Sequence, residues 1–320
     1  MKMQWGKTST SEPRIQNQSQ EFFRETGILN ISVIVPFFNE EKHIRQSIES
    51  LRNQDFERSG YELIFVDNNS TDGSRAIVEE YADVILLSEK RPGAYAARNR
   101  GAMQAHGAIL AFTDADVSVE KNWLAEIENW ITACEFDFVI GNHCFAENAS
   151  QFLQFYEHHE SQKMEYVTRY CGQKYCLNSA ANMAIKKEFF NLAGMFNPNI
   201  LRGGDIEFVQ RYVQKMSHPG IAYNKNMIVH HNEIRNLRDW FKKRRVYAQS
   251  RAKIRRDYAV KPLPFLHRIR VFVKWFKHDP APAYQKYGFV FVLLIGVLSW
   301  KCIEWSVMAT HNRQKSSLSM

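Results

Sequence analysis

Cysteine is scarce in this 320-residue sequence, and its pattern is unhelpful to any covalent framework. Five residues stand at positions 134, 144, 171, 176 and 302, an odd number with no CxxC pair and no His-x-x-x-His partner nearby. That excludes a disulfide scaffold and a zinc module, and it reads as buried thiols in a reducing compartment. No internal repeat or low-complexity tract is present. The first 27 residues are polar and have no apolar core of signal-peptide length, so residues 1–27 are expected to be a disordered lead-in, without export. Long apolar runs are also missing. The longest, Gly288 to Trp300, has 13 residues before Lys301, against the roughly 20 that a spanning helix requires. A Gly-rich basic loop after the first strand would suit a nucleotidyltransferase; Pro36-Phe-Phe-Asn-Glu40 stands there instead.

What is there begins with charge. The formal net charge is +8, and it is unevenly spread: 15 Lys and Arg against Asp239 and Asp257 between Arg235 and Lys277 give that segment +13 and leave the rest at −5. The basicity therefore belongs to one region, which suits phosphate-bearing partners. Hydrophobic residues make up 45% of the chain, enough for a large core.

Short β-branched runs alternate with amphipathic stretches. Strands are expected over Ile31–Pro36, Tyr61–Asp67, Asp83–Ser88, Ala108–Phe112 and Asp137–Gly141, with helices between them. That alternation predicts an α/β fold with a mainly parallel, doubly wound sheet, whose ligands gather at the carboxyl ends of the strands. Asp67, Asp114 and Asp116 all fall at that edge. Asp114 and Asp116 close the most apolar strand; residues two apart in a strand point the same way, so both carboxylates leave side by side. Two like charges there suit a hard divalent cation, Mg²⁺ or Mn²⁺, which keeps coordination positions for water and substrate phosphate. Farther on, helices are expected over Phe152–Arg169 and Lys187–Ala193, a strand over Ser179–Ile185, and a helix opening at Leu201-Arg-Gly-Gly-Asp-Ile-Glu-Phe208 with Asp205 and Glu207 in its first turn. A short strand, Met227–Val229, leads to His230 and His231.

Five segments then occur in order: Val33-Ile-Val-Pro-Phe-Phe-Asn-Glu-Glu, Phe65-Val-Asp-Asn-Asn-Ser-Thr-Asp-Gly-Ser, Ala97-Arg-Asn-Arg-Gly, Thr113-Asp-Ala-Asp and Gly203-Gly-Asp-Ile-Glu-Phe. Together they resemble a family 2 glycosyltransferase over roughly residues 31–231. The resemblance implies a Rossmann-like A-type glycosyltransferase fold, a nucleotide-sugar donor, a divalent metal and inversion at the anomeric carbon. By the same resemblance Asp67 accepts a hydrogen bond from the base, which suits uracil. Pro36, Phe37 and Glu40 line the base and ribose site, Arg98 braces the nucleotide, Asp114 faces the ribose or sugar, and Asp116 holds the metal. Asp205 is the expected general base, with Glu207 as the alternative. His230 or His231 supplies an imidazole to the metal, with His230 preferred because it directly follows Ile-Val. Arg244 and Arg245, in the basic run after Trp240, are expected on the diphosphate. Asn182 is a weaker candidate for the acceptor.

This chain departs from the family twice: Gly204 stands where Glu commonly precedes the base, and Asn68 where a second Asp is commoner. The Gln-x-x-Arg-Trp signature of processive relatives is absent, which favours one sugar per encounter.

Residues 28–235 are thus expected to form the catalytic domain, residues 236–278 a basic amphipathic helical extension, and residues 279–320 a hydrophobic membrane-associated segment with a polar tail. Pro262 to Lys277 mixes aromatics and cations in the manner of an interfacial helix. Extending the later apolar run to Ala309 gives 22 residues at the cost of including Lys301 and Glu304. Peripheral or single-pass contact with the cytoplasmic face of the cell membrane is expected, by the positive-inside rule. The expected partners are the donor and a glycan or lipid-linked acceptor, polyprenyl phosphate among them, and no nucleic acid. The competing reading is a non-catalytic protein whose basic region binds anionic lipid or nucleic acid.

Overall fold

The computed structural model describes residues 30–145, 149–171, 180–217, 220–231, 234, 236–258, 263–296, 298 and 302. The first four strands alternate with helices, and a short fifth follows β4 directly: β1 (Ile31–Phe37), α1 (Ile44–Arg52), β2 (Tyr61–Asp67), α2 (Ser74–Glu79), β3 (Val84–Ser88), α3 (Ala94–Gln104), β4 (Ile109–Thr113), β5 (Val117–Val119) and α4 (Trp123–Glu128). Then come β6 (Phe138–Phe145), α5 (Gln151–Tyr170), β7 (Asn182–Lys186), α6 (Lys187–Ala193), α7 (Gly204–Lys215) and β8 (Ile221–His231). Two further helices, α8 (Leu237–Tyr258) and α9 (Phe265–His278), precede a helical stretch, α10, over 283–296.

The eight strands form one sheet in the order β3-β2-β1-β4-β7-β6-β8-β5. The β1–β2, β1–β4, β2–β3 and β6–β8 pairs are parallel, whereas β7 runs antiparallel to both β4 and β6 and β5 runs antiparallel to β8. The sheet is therefore mixed. The parallel half follows from the helical crossovers of the first hundred residues; the antiparallel half comes from β7 and from the short β5, which no sequence pattern had marked.

Strand alternation divides the core into two. Ile34, Ile64, Leu110 and Phe112 face one layer with Phe190, Phe208 and Tyr212. Their neighbours Val33, Leu63, Ile109 and Ala111 face the other, with Ile44, Ile48 and Leu51 of α1 and Trp123 of α4. Ile44, Ile48 and Leu51 recur at helical spacing, which is why that stretch folds as a helix with one buried face. Each such fully buried side chain contributes about 1.5–3 kcal/mol.

The C-terminal helices are not a detached extension. Trp275 of α9 is fully buried against Phe155 and Phe289, and Trp240 of α8 packs on Phe152. A Cβ at Gly296 would meet the Trp240 ring at 2.8 Å, so α10 lies tight on α8. Among the described residues no helix is long and apolar enough to cross a membrane. The 303–309 part of the apolar run, and the lead-in 1–27, lie outside the described residues.

Candidate functional site

The carboxyl ends of β1 and β4, the start of α7 and one face of α8 wall a single large cavity of about 1690 Å³. Pro36, Phe37, Glu40, Arg98, Asp114, Asp116, Asp205 and Arg244 all line it. The sheet explains the convergence. β4 lies in parallel register beside β1, so the turn carrying Asp114 and Asp116 opens next to the loop after Phe37. Arg98 is buried on α3, with its guanidinium on the Asp114 carboxylate and over the face of Tyr95. The Lys243 ammonium stands 3.6 Å from Asp116.

Asp205 is 8% exposed at the start of α7. The Tyr95 hydroxyl donates to its Oδ1 at 3.0 Å, and the Ala180 amide donates to its Oδ2 at 3.3 Å. Burial, then the Asp205 charge, hold the Tyr95 phenol well above its ordinary range, so Tyr95 stays a donor. Glu207 is turned elsewhere: Arg211 grips it at 2.7 and 3.0 Å, one helical turn on. On Tyr247, burial raises the phenol pKa and Lys243 opposes the rise, while Asp114, Asp205 and Asp116 add to it. All three carboxylates thus bear on one ring in the cavity.

Several of the expected residues do not line this cavity. His230 does not line the cavity; it points to Glu120, Nε2 to Oε1 at 2.6 Å. His231 does line it, stacked on His143 with Nε2 3.1 Å from His143 Nδ1. Consecutive strand residues face opposite ways, so only one of the two histidines is able to enter. Burial, then His231, push His143 down to about 3 against the pull of Asp114, leaving a neutral imidazole. Arg245 is exposed on the far side of α8, while Lys243, Arg244, Tyr247 and Arg251 share the cavity face at helical spacing. Asn182 does not reach an acceptor position. It is fully buried, donating to the Asn142 and Met227 carbonyls at 2.7 and 2.9 Å and accepting from the Trp123 indole at 2.9 Å. Asp67 ends β2 opposite Phe37 but does not line the main cavity; its Oδ1 accepts from the Ser70 amide at 2.9 Å and its Oδ2 lies 3.6 Å from Arg75.

Both departures in the motifs have local causes. A Cβ at position 204 would meet the Tyr95 ring at 2.8 Å, so Tyr95 occupies the room a Glu would need. Gly203, just before it, has φ +79°, a conformation that favours glycine. Asn68 donates from its amide to the Glu89 and Arg91 carbonyls, both at 2.8 Å, and accepts from the Gly93 amide at 2.7 Å. A carboxylate would lack the two donors.

Among the described residues no three His, Cys, Asp or Glu side chains stand close enough together to hold a metal by themselves. The donors nevertheless suit a hard cation: two carboxylates, Asp114 and Asp116, line the same cavity as His231. One or two carboxylates are what Mg²⁺ usually takes from a protein, with phosphate and water completing its octahedron. Residues the sequence reading missed are Tyr95, Lys243 and His143. Tyr95 precedes Arg98 by three positions on one helix face, which was a usable signal.

Comparison with known proteins follows this geometry. The family model described as Glycosyl transferase family 2 matches residues 32–192, half of the chain. The chain is 30% identical over 187 residues to glycosyltransferase AglE of Haloferax volcanii, an alignment covering 57% of this chain and 60% of that protein. Two solved structures share the fold. TarS 1–349 of S. aureus, in complex with UDP-GlcNAc, aligns with a TM-score of 0.54 at 16% identity over 88% of this chain and 92% of its own. The mannosyltransferase PcManGT of Pyrobaculum calidifontis, in complex with GDP-Man and Mn²⁺, aligns with a TM-score of 0.55 at 20% identity over 90% and 81%.

Proposed function

The chain belongs to family 2 of the glycosyltransferases, and on that premise we propose that it moves a sugar from a nucleotide-sugar, a UDP-sugar, to a glycan or lipid-linked acceptor with inversion at the anomeric carbon. The observation that carries this reading is that Asp114, Asp116 and Asp205 line one cavity with Pro36, Phe37 and Glu40. The reaction needs an electrophile held by its diphosphate, a nucleophilic hydroxyl on the opposite face of the sugar, and one carboxylate to take the proton.

In this reading Asp205 is the general base. The acceptor oxygen forms its bond to the anomeric carbon as the bond to the diphosphate oxygen breaks, and the hydroxyl proton passes to the Asp205 carboxylate. Tyr95 fixes the orientation of that carboxylate. Pro36, Phe37 and Glu40 hold the nucleoside, with Asp67 at the base end. Arg98 fixes Asp114, and Lys243 and Arg244 offset charge on the departing diphosphate. Asp114 and Asp116, with His231, are the residues that would hold Mg²⁺ or Mn²⁺, which supplies further neutralisation of that charge.

Membrane association at the cytoplasmic face is part of the same proposal, supported by the basic α8 and α9 and by exposed apolar residues on α9 and α10 such as Leu266, Tyr287 and Phe291. The test is a thermal-shift panel of UDP, GDP, CDP and TDP and their sugars, with Mn²⁺ and with chelator. Ligand at 100 times its dissociation constant stabilises by about 2.7 kcal/mol. A metal-dependent shift with uridine nucleotides supports the reading; no shift with any nucleotide, from folded protein, overturns it.

A further inference from the structure

Two tyrosines stand near the carboxylates of the cavity, and their hydroxyls are used differently. Tyr95 is 5% exposed, and its hydroxyl is committed to Asp205. Tyr247, on α8, lines the same cavity and is 45% exposed. Among the described residues its hydroxyl has no hydrogen-bond partner. An aromatic side chain of that kind in a binding cavity presents an apolar ring and a polar tip to a ligand.

What α8 touches on either side fixes the place of Tyr247. Four residues earlier, about 6 Å along the axis, the Lys243 ammonium stands 3.6 Å from Asp116. Seven residues later, about 10 Å along the axis, Ile254 is buried with Ile200 and Ile206. A Cβ at Gly203 would meet the Ile254 Cδ1 at 2.5 Å. The helix therefore bridges the strand-end carboxylates and the turn that carries Asp205, and positions 243, 247 and 254 recur on one face. Between those two anchors Tyr247 is the aromatic residue. Burial, Lys243 and the carboxylates Asp114, Asp205 and Asp116 all act on its phenol, so the ring is within reach of both groups.

In the proposed reaction those groups serve opposite ends of one displacement: Asp114, Asp116 and Lys243 the diphosphate, Asp205 the attacking hydroxyl. The anomeric carbon lies between them, because the nucleophile and the leaving group stand on opposite faces of the sugar. The transferred sugar thus comes against the side chain that covers that gap from α8. Asp205 does not depend on Tyr247 for its orientation, since Tyr95 and the Ala180 amide already hold its two oxygens. A pyranose offers C–H bonds on one face and hydroxyls at its edge, which match the electron-rich face of a phenol and its hydroxyl. We propose that Tyr247 binds the sugar of the donor, with its ring against the C–H face of the pyranose and its hydroxyl on a sugar hydroxyl. The inference rests on the glycosyltransferase reading and adds the side chain that holds the transferred group.

The experiment titrates the full chain, as wild type, Tyr247→Phe and Tyr247→Ala, with UDP, UDP-glucose and UDP-N-acetylglucosamine in Mg²⁺ by calorimetry. Saturation-transfer NMR on the same samples reads which protons of the ligand touch the protein. In wild type the uracil and the sugar-ring protons are both expected to receive saturation. Tyr247→Ala is expected to bind UDP as wild type does and the sugar-nucleotides about tenfold more weakly, with the sugar signal lost relative to uracil. Tyr247→Phe keeps the ring and the sugar signal and loses about threefold in sugar-nucleotide affinity, the hydroxyl's share. Melting temperatures check the fold, which α8 secures through Trp240, Ala248, Ala252 and Ile254. Equal losses for UDP and the sugar-nucleotides in Tyr247→Ala, or a full sugar signal in that variant, overturn the proposal. Unchanged sugar-nucleotide affinity with lower turnover overturns it too, and assigns the phenol to Asp205. Wild-type binding of UDP without any sugar signal overturns this inference alone. Failure of UDP binding overturns the glycosyltransferase reading beneath it.

Discussion

Tyr95 and Asp205, 110 residues apart in sequence, meet at 3.0 Å, and the phenol donates to the carboxylate proposed to take the acceptor proton. A hydrogen bond to a charged group contributes about 1.5–3 kcal/mol. Tyr95→Phe is therefore expected to lower kcat roughly ten- to a hundredfold with donor affinity unchanged, because the ring still packs and only the orienting hydroxyl is lost. Steady-state kinetics beside donor titration checks this; equal losses in kcat and donor affinity would mean that Tyr95 holds the fold or the donor instead.

The same ring explains the Gly-Gly-Asp sequence. Gly204→Glu, which restores the commoner family residue, is expected to displace Tyr95, since even a Cβ at 204 stands 2.8 Å from the ring. Turnover should fall at least tenfold. Reducing the ring in Gly204→Glu/Tyr95→Ala should recover part of the melting temperature lost in the single Gly204→Glu variant, though not the hydroxyl. A double variant less stable than the single one would contradict the steric account.

Much of this was legible in the sequence, and the limits have physical causes. The strand-end carboxylates Asp67, Asp114 and Asp116 were legible because an apolar run stopping at an acid is a local pattern. So was Asp205, at the head of an amphipathic helix. The choice between His230 and His231 was not, because it depends on strand parity set by pairing with β5 and β6, and β6 shifts register between Gly141 and Asn142. Arg245 was misjudged for a similar reason: the rotation of α8 is fixed by Trp240, Ala248, Ala252 and Ile254 packing inward, and that turns Arg244 in and Arg245 out. The antiparallel half of the sheet depends on long-range pairing of β7 with β4 and β6 and of β5 with β8, which local periodicity does not encode.

Asn68→Asp is expected to destabilise the protein by about 2 kcal/mol. The substitution replaces two amide donations, to the Glu89 and Arg91 carbonyls at 2.8 Å, with a carboxylate facing both. Chemical denaturation measures it; a change under 0.5 kcal/mol would mean that water replaces the amide there.

Glu128 is buried, and burial raises its carboxyl pKa, opposed by the Asn30 amide at 2.9 Å. With the folded value above the unfolded one, the native state binds the proton more tightly, so the group's contribution is most favourable at acid pH and declines as pH rises through that window. Glu128→Gln, which keeps the acceptor oxygen and removes the charge, is expected to raise the melting temperature at pH 7. The gain should vanish near pH 4. A gain independent of pH would refute the charge explanation.

The most direct test of the central claim compares wild type with Asp205→Asn, with Glu207→Gln as control, in a sugar-transfer assay alongside donor binding. Asp205→Asn is expected to bind the nucleotide-sugar as wild type does and to lose transfer by about 10²–10⁴, the range of general-base catalysis. Glu207→Gln, whose carboxylate is already committed to Arg211, should keep at least a tenth of the wild-type rate. Wild-type turnover in Asp205→Asn, or its loss in folded Glu207→Gln alone, would contradict the account.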